Sequence, residues 1–366
     1  MKKMLLGIVF TGILTSQISN AKVVSQINGY MFGDYYYNVK NHKSGSKDEN
    51  AFQLRRIYFT FENNISKNIK IRFRLESASP KFGEVSKINP FVKQAFLEWN
   101  NLIPHHKLYV GIAETNAFKN SESYWGYRSI EKTIMDLNKI SSSADLGIAL
   151  KGDLGKNLHH WLTIFNGTGY GSAEVDRFKK VGYAFWVTPV KGLILEAYGD
   201  FENQDPDKPN FEYATDYYGS SGYYTVKGFV GYDAPGYTVG AEAFMRTNKE
   251  SGTTSMDTGE KADVKRVGYS LFGSWVTPVP KLKLFARYDF FDPNTDDNVI
   301  VDEDGTTGLN DEFTQIFAGL DYIPGSNVHI MPNIIYKKYA ADGVDADFTA
   351  RITVFYKFST GKIIVD

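Results

Sequence analysis

The segment Phe348–Phe358 alternates two kinds of residue over a full strand length. Phe348, Ala350, Ile352, Val354, Tyr356 and Phe358 share one face, while Thr349, Arg351, Thr353, Phe355 and Lys357 share the other. Successive side chains of a strand project to opposite sides, so the segment turns an apolar face one way and a charged face the other. The pattern recurs along the whole chain, interrupted by connections that are alternately short and long. This is how a transmembrane β-barrel is written. Passage of solutes, rather than catalysis, becomes the leading expectation.

The N-terminus agrees. Met1-Lys2-Lys3 is basic, Leu5–Leu14 is a short apolar run and Ser19-Asn20-Ala21 supplies small residues for cleavage. Residues 1–21 are therefore expected to be a secretory signal peptide, too short to span a bilayer, with Lys22 as the mature start. No later apolar run is long enough for a spanning helix. Cysteine is absent, which excludes a disulfide framework, a thiolate metal centre and a cysteine nucleophile. The 24 tyrosines and 26 phenylalanines are the residues expected in aromatic girdles at both membrane interfaces. The formal charge is only −1, so any ion preference must come from where the charges sit.

Strands are expected at Ser25–Asn38, Phe52–Glu62, Ile69–Ser77, Phe91–Asn100, Lys107–Glu114, Asp145–Lys151, Leu158–Asn166 and Lys180–Val187. The second half continues with Leu193–Asp200, Gly222–Tyr232, Tyr237–Arg246, Val267–Val276, Leu282–Asp289, Phe313–Tyr322, Val328–Lys337 and Phe348–Phe358. That makes about sixteen strands, an even number, with Pro/Gly turns at one end and long polar loops at the other. The expected fold is all-β: one antiparallel barrel over residues 22–358, periplasmic short turns, extracellular loops and a short periplasmic tail at 359–366. It would lie in the outer membrane of a Gram-negative bacterium. The third loop, Thr115–Ser143, differs from the rest. Ile130, Ile134 and Leu137 stand at helical spacing behind Ser129 as a cap, and an aqueous lumen of this size needs something to narrow it. This loop is expected to fold inward. Pro332, inside a strand, predicts a bulge.

A charge facing lipid at the midplane costs about 2–4 kcal/mol, which decides which face of each strand points inward. In Ile69–Glu76 the outward set is Ile69, Ile71, Phe73 and Leu75; the inward set is Lys70, Arg72, Arg74 and Glu76. The same rule turns Arg56, Lys107, Lys151, Lys180, Lys227, Arg246, Lys283, Arg287, Lys337, Arg351 and Lys357 inward. Against them stand Glu62, Glu76, Asp145, Glu196, Asp200, Glu242, Asp289 and Asp321. The expected wall is net basic and attracts anions, although pairs such as Arg287/Asp289 and Arg74/Glu76 can simply satisfy each other. Lys93 falls outward, close enough to a membrane edge to snorkel.

Other chemistry is sparse. The carboxylates of Asp292–Asp304 miss the EF-hand spacing, since Asp297 stands where glycine is required, and no metal site or cofactor is expected. A hydrolase would need a nucleophile beside an oriented histidine, and no Gly-x-Ser-x-Gly elbow exists; of the six histidines only His329 is expected to face inward from a strand. The Tyr-rich Tyr213–Tyr224 segment leaves a surface adhesin or receptor as the rival reading, with a barrel hydrolase behind it.

Phe52-Gln53-Leu54-Arg55-Arg56 resembles the phosphate-selective porin O/P family. So do Val92-Lys93-Gln94-Ala95-Phe96-Leu97-Glu98, Leu108-Tyr109-Val110-Gly111, Asp145-Leu146-Gly147, Asn166-Gly167 and Ala286-Arg287-Tyr288-Asp289. These short matches run in order over most of the chain. The resemblance implies a sixteen-stranded outer-membrane porin, usually trimeric, with an inward third loop. The family's phosphate-binding arginine ladder and lysine clusters have no residue-by-residue match here. The loop carries Lys119, Arg128, Lys132 and Lys139, against Glu114, Glu122, Glu131 and Asp136 in and beside it. That balance favours a general pore for small hydrophilic, preferentially anionic solutes. One departure is that Phe358 is followed by Ser359–Asp366, whereas such barrels usually end on an aromatic residue.

Overall fold

Sixteen antiparallel strands wind once around a barrel in the computed structural model, which describes residues 23–80, 83–84, 86–205, 220–253, 260–296, 312–361 and 363–365. They are β1 (Val23–Lys40), β2 (Asn50–Asn64), β3 (Ile69–Ser77), β4 (Phe91–Asn100), β5 (His106–Glu114), β6 (Ala144–Gly155), β7 (Leu158–Phe165) and β8 (Lys180–Val187). The circuit continues through β9 (Leu193–Asn203), β10 (Gly222–Ala234), β11 (Tyr237–Thr253), β12 (Lys261–Val276), β13 (Leu282–Asp292), β14 (Phe313–Gly325), β15 (Val328–Tyr339) and β16 (Asp347–Ser359). Each pairs with its sequence neighbours, and β1 pairs with both β2 and β16, so the sheet closes. A short β17 (Ile363–Val365) then pairs with Val23–Ser25 of β1, carrying the chain past Phe358. The leader, the Tyr213–Gly219 stretch and the acidic positions from Asp297 to Asp304 lie outside the described residues.

The alternation sorts side chains as lipid and water require. Phe59, Phe73, Val110, Ile148, Leu195, Val230, Leu271, Leu320, Ile352 and Val354 are exposed on the outside, with Trp99, Tyr237, Trp275, Tyr322 and Tyr356 toward the short-turn end. None of the described helices is long and apolar enough to cross a membrane. Val354→Arg, mid-strand on this belt, is expected to cost about 2–4 kcal/mol. Denaturant titration of the barrel folded into phospholipid vesicles checks it, and Val354→Leu, which keeps the position apolar, is the comparison.

Two of the register shifts among the described strands carry cations to the inner face. Opposite Phe32–Gly33, β2 runs from Arg56 to Leu54, leaving Arg55 as the extra residue, and both arginines point inward. Opposite Arg74–Leu75, β4 runs from Gln94 to Val92, which turns Lys93 inward as well. The outward, snorkelling Lys93 expected from the sequence is thus corrected: its Nζ lies 3.4 Å from Glu76 Oε2 and 3.4 Å from the Tyr170 ring centre. At Pro332 the expected bulge is missing. Pairing passes from Gly319–Asn333 to Tyr322–Ile330 in one register, so the proline costs at most local ladder bonds.

Residues 115–143 cross the interior. They form α1 (Lys119–Trp125) and α2 (Ile134–Leu137), which pack on β10, β11 and β12, across the barrel from the β5–β6 pair that the loop joins. Gly126, at φ +68°, closes α1 by donating its N–H to Glu122 O at 3.0 Å, a conformation that favours glycine. Ser129 does not cap a helix as expected. Ile130 belongs to a turn whose N–H bonds back to Tyr127 O at 2.8 Å, and α2 starts only after Thr133, without a side-chain cap.

The barrel consequently has an internal apolar core. Trp125, Ile130, Ile134, Met135 and Ile140 of the loop pack against Phe229, Phe244, Phe272, Phe285 and Phe317 of the wall. Trp125 meets Phe272 edge-on at 5.6 Å, and Tyr127 stacks on Phe285 at 4.4 Å. Many aromatics assigned to the girdles by composition are therefore spent inside.

Candidate functional site

Two helices of seven and four residues leave many loop carbonyls without intrahelical donors, and a buried carbonyl must find one. The wall supplies them from basic side chains. Lys227 Nζ donates to Ala117 O at 2.8 Å, Arg55 Nη1 to Ser129 O and Ile130 O at 2.9 and 2.8 Å, and Arg287 Nη1 to Lys132 O at 2.5 Å. Arg246 Nη1 donates to Ile140 O, Arg351 Nη2 to Ile130 O at 3.4 Å, and Lys180 Nζ to Ser141 Oγ at 2.9 Å. Most of these cations are also held by a buried carboxylate. Lys227 pairs with Glu196 at 2.8 Å, Lys180 with Asp200 at 2.9 Å, Arg351 with Asp34 at 3.5 Å, and Arg287 with Asp289. Tyr124 and Asn116 add bonds to Gly192 O and Trp161 O.

This arrangement corrects the role expected for Lys227, Arg246, Arg287 and Arg351. They face inward, as the alternation requires, but the loop covers them; the Lys227 side chain is 0% exposed. They clamp the constriction and do not line open water. The reason is that strand period reports which side of the wall a residue occupies, not what lies on top of it.

The lumen stays open on the opposite side, along β2 to β6. Arg56, Lys70, Arg72, Arg74, Lys107 and Lys151 project there, all partly exposed or exposed. Arg56 meets Glu76 at 2.7 Å, Lys70 and Arg72 share Glu62 at 2.9 and 2.6 Å, and Lys107 meets Glu98 at 3.3 Å. Arg74 and Lys151 have no carboxylate within 4.0 Å among the described residues. Arg74 Nε donates to Thr60 Oγ1 at 2.8 Å, and Lys151 Nζ sits 4.2 Å from the Trp161 ring centre.

Across from this ladder the loop shows Lys119, 39% exposed, which reaches Glu114 Oε1 at 3.2 Å and Glu122 Oε1 at 3.4 Å. Arg128 links Glu122 at 3.2 Å to Asp136 at 2.9 Å, and Lys132 also reaches Asp136, at 3.5 Å. Glu131 is half-buried between Arg55 at 3.5 Å and Arg351 at 4.0 Å. Burial works to raise the pKa of Asp136, but Arg128 and Lys132 outweigh it and hold the carboxyl below its usual range; Arg55 and Arg351 do the same for Glu131. A carboxyl whose folded pKa is lowered stabilises at pH values above its unfolded pKa, and that contribution vanishes as pH falls through the lowered value. The constriction is therefore expected to keep its conductance down to about pH 4 and to loosen only below it. Single-channel records on an acid series check this, and a change beginning near pH 6 would contradict it.

Alternation misses Arg55 and Lys93, because bulges carry them inward, and Arg266, because β12 starts six residues before the expected strand. It also leaves Asp34, Glu98 and Glu202 out of the acidic set, although all three are buried toward the interior. Arg55 and Lys93 do stand in two of the segments carrying the family resemblance.

Beneath the loop a cavity of about 670 Å³ is lined by Tyr30, Tyr124, Trp125, Arg128, Asp321 and His329, among others. His329 Nδ1 lies 2.9 Å from Asp321, yet no hydroxyl hydrogen-bonds to its ring among the described residues. His159 also faces inward from a strand, beyond the one histidine expected. The chain Asp153–His159–Thr188, at 2.6 and 3.3 Å, resembles a triad in outline but sits on the short-turn rim, where the Asp153 side chain is 59% exposed. Among the described residues no group of three or more His, Cys, Asp or Glu could hold a metal.

No protein-family model matches the chain, and no curated protein matches its sequence. Solved structures match its fold. The anion-selective porin from Comamonas acidovorans aligns with a TM-score of 0.64 at 12% identity, over 92% of this chain and 100% of that one. The outer membrane channel DcaP of Acinetobacter baumannii gives 0.61 at 14%, over 93% and 98%. In-vitro folded OmpT of Vibrio cholerae, an outer membrane protein in its trimer form, gives 0.60 at 12%, over 92% and 99%. A closed sixteen-stranded barrel with an apolar outer belt and an inward third loop has the porin architecture, and it places this chain in the outer membrane of a Gram-negative bacterium.

Proposed function

We propose that this protein is a passive diffusion porin for small hydrophilic solutes with a preference for anions. The observation that carries the reading is one-sided. Residues 115–143 fill the β10–β16 half of the lumen, and the half left open presents Arg56, Lys70, Arg72, Arg74, Lys107 and Lys151, with Arg74 and Lys151 uncompensated by any described carboxylate within 4.0 Å. Fixed charge on the wall of a narrow channel raises the local counter-ion concentration and selects by sign. Short turns face the periplasm in this reading, and the assembly is a homotrimer, as is the form of OmpT that shares the fold.

Membership of the phosphate-selective porin O/P family belongs to the same proposal, supported by the inward Arg55, Arg56 and Lys93 within the resembling segments. Phosphate-specific binding is the less favoured version. Lys119, Arg128 and Lys132 are each engaged with carboxylates and do not converge on a free site. His329 lines a cavity but has no hydroxyl on its ring among the described residues, and His159 has the Thr188 hydroxyl but sits on the exposed rim, so neither joins a cleft to a nucleophile as a hydrolase would need.

The test is the reversal potential of the purified protein in planar bilayers under a KCl gradient, with and without phosphate. Discrete steps with an anion-selective potential are expected. Block at low phosphate concentration would replace the general pore with a phosphate channel, and cation selectivity would overturn the anion preference.

A further inference from the structure

On the short-turn rim, β5, β6 and β7 align His106, Gly152 and His160 in one cross-strand row. The adjacent row, Lys107–Lys151–Trp161, faces the lumen, so the histidine row lies on the outer face. His106 and His160 stand two strands apart, about 10 Å between backbones, yet their rings meet over the middle strand. The Nε2 atoms are 2.9 Å apart. Gly152 makes this approach feasible: a Cβ there would fall 2.3 Å from His106 Cδ2 and 2.9 Å from His105 O.

The tautomers follow from the partners. His106 Nδ1 is 2.7 Å from Pro104 O, a carbonyl that can only accept, so Nδ1 carries the proton and Nε2 of the neutral ring presents its lone pair. An imidazole N–H held by a backbone carbonyl is the outer-shell arrangement that orients metal-ligating histidines. His160 places its own Nε2 against that lone pair and is largely buried by its surroundings, with Tyr183 at 5.9 Å.

We propose that His106 and His160 form a binding site for a divalent transition-metal ion that favours imidazole, such as Zn²⁺, Cu²⁺ or Ni²⁺. Metal–nitrogen bonds of about 2.0–2.1 Å at a tetrahedral angle need the two Nε2 atoms about 3.3 Å apart, a widening that small ring rotations supply. The His160 ring must then carry its proton on Nδ1. With no third His, Cys, Asp or Glu in the group among the described residues, water completes the coordination and the ion exchanges readily. Hard cations such as Ca²⁺ and Mg²⁺ are excluded by the nitrogen ligands.

The test uses the full chain, purified without a histidine tag and folded in detergent. Zn²⁺ is titrated against a chromophoric chelator, and Cu²⁺ is followed by electron paramagnetic resonance. One equivalent is expected, with nitrogen hyperfine structure from two imidazoles. His106→Gln and His160→Gln should each weaken binding by about tenfold or more. His159→Gln, already engaged with Asp153 and Thr188, should leave it unchanged. Circular dichroism confirms that each variant is folded. No binding up to millimolar metal would mean that the two rings form a hydrogen-bonded pair only. Binding that survives both His106→Gln and His160→Gln would place the metal elsewhere. Either result overturns the site.

Discussion

Arg287→Met is expected to destabilise the protein by about 3–5 kcal/mol and to raise single-channel conductance, because one side chain serves both the wall and the constriction. Its guanidinium binds Asp289, donates to Lys132 O at 2.5 Å and lies 5.3 Å from the Trp125 ring centre and 4.7 Å from that of Phe317. Both charges are almost fully buried. Removing the arginine leaves Asp289 as a lone buried carboxylate and Lys132 O without this donor, and each is costly away from water. The double variant Arg287→Met, Asp289→Leu separates the two effects. Replacing both members of a buried pair by apolar residues is close to neutral, so stability should return while the loop carbonyl stays unpaired and conductance stays high. Unfolding followed by tryptophan fluorescence, with bilayer recording of the same samples, measures both. Unchanged conductance in both variants would show that this clamp does not hold the loop.

Arg72→Glu with Arg74→Glu should move the reversal potential from anion to cation preference. Arg74 donates to Thr60 Oγ1, with no carboxylate partner among the described residues, and lies 5.7 Å from the Tyr58 ring centre, while Arg72 shares Glu62 with Lys70. Reversal places two new carboxylates near Glu62 and close enough to Glu114 to interact with its charge. At an effective dielectric of 20, a unit charge acts on an ion about 7 Å away with roughly 2 kcal/mol, more than a tenfold bias before screening. The shift should be large at 0.1 M KCl and shrink at 1 M, where the screening length falls from about 10 to about 3 Å. A potential that ignores the reversal would show that these residues lie away from the narrowest point.

Several features of the interior were present in the sequence without being readable as such. Phe229, Phe244, Phe272, Phe285 and Phe317 occupy lumen-phase positions beside Lys227, Glu242, Ser270, Arg287 and Gln315, where an open channel would leave them wet. Apolar residues on a water face indicate a cover, and they cluster on β10–β14, the wall that the loop packs against. Arg55 and Lys93 were harder to assign. A bulge inserts one residue and reverses the phase beyond it, and no local propensity of the segment announces it. The histidine row across β5, β6 and β7 depends on register between strands separated by a 29-residue loop and a tight turn, which alternation cannot supply.

By itself, the sequence determined the number of strands, which end carries the long loops and which face of most strands meets lipid. These follow from a period of two and from the cost of charge in hydrocarbon, both of which act residue by residue. The division of the inward cations was decided only by tertiary structure. Lys227, Arg246, Arg287 and Arg351 anchor the constriction, and Arg56, Lys70, Arg72, Arg74, Lys107 and Lys151 face the open lumen, according to where residues 115–143 come to rest. That path is set by unpaired loop carbonyls seeking donors across the barrel, at sequence separations of a hundred residues and more.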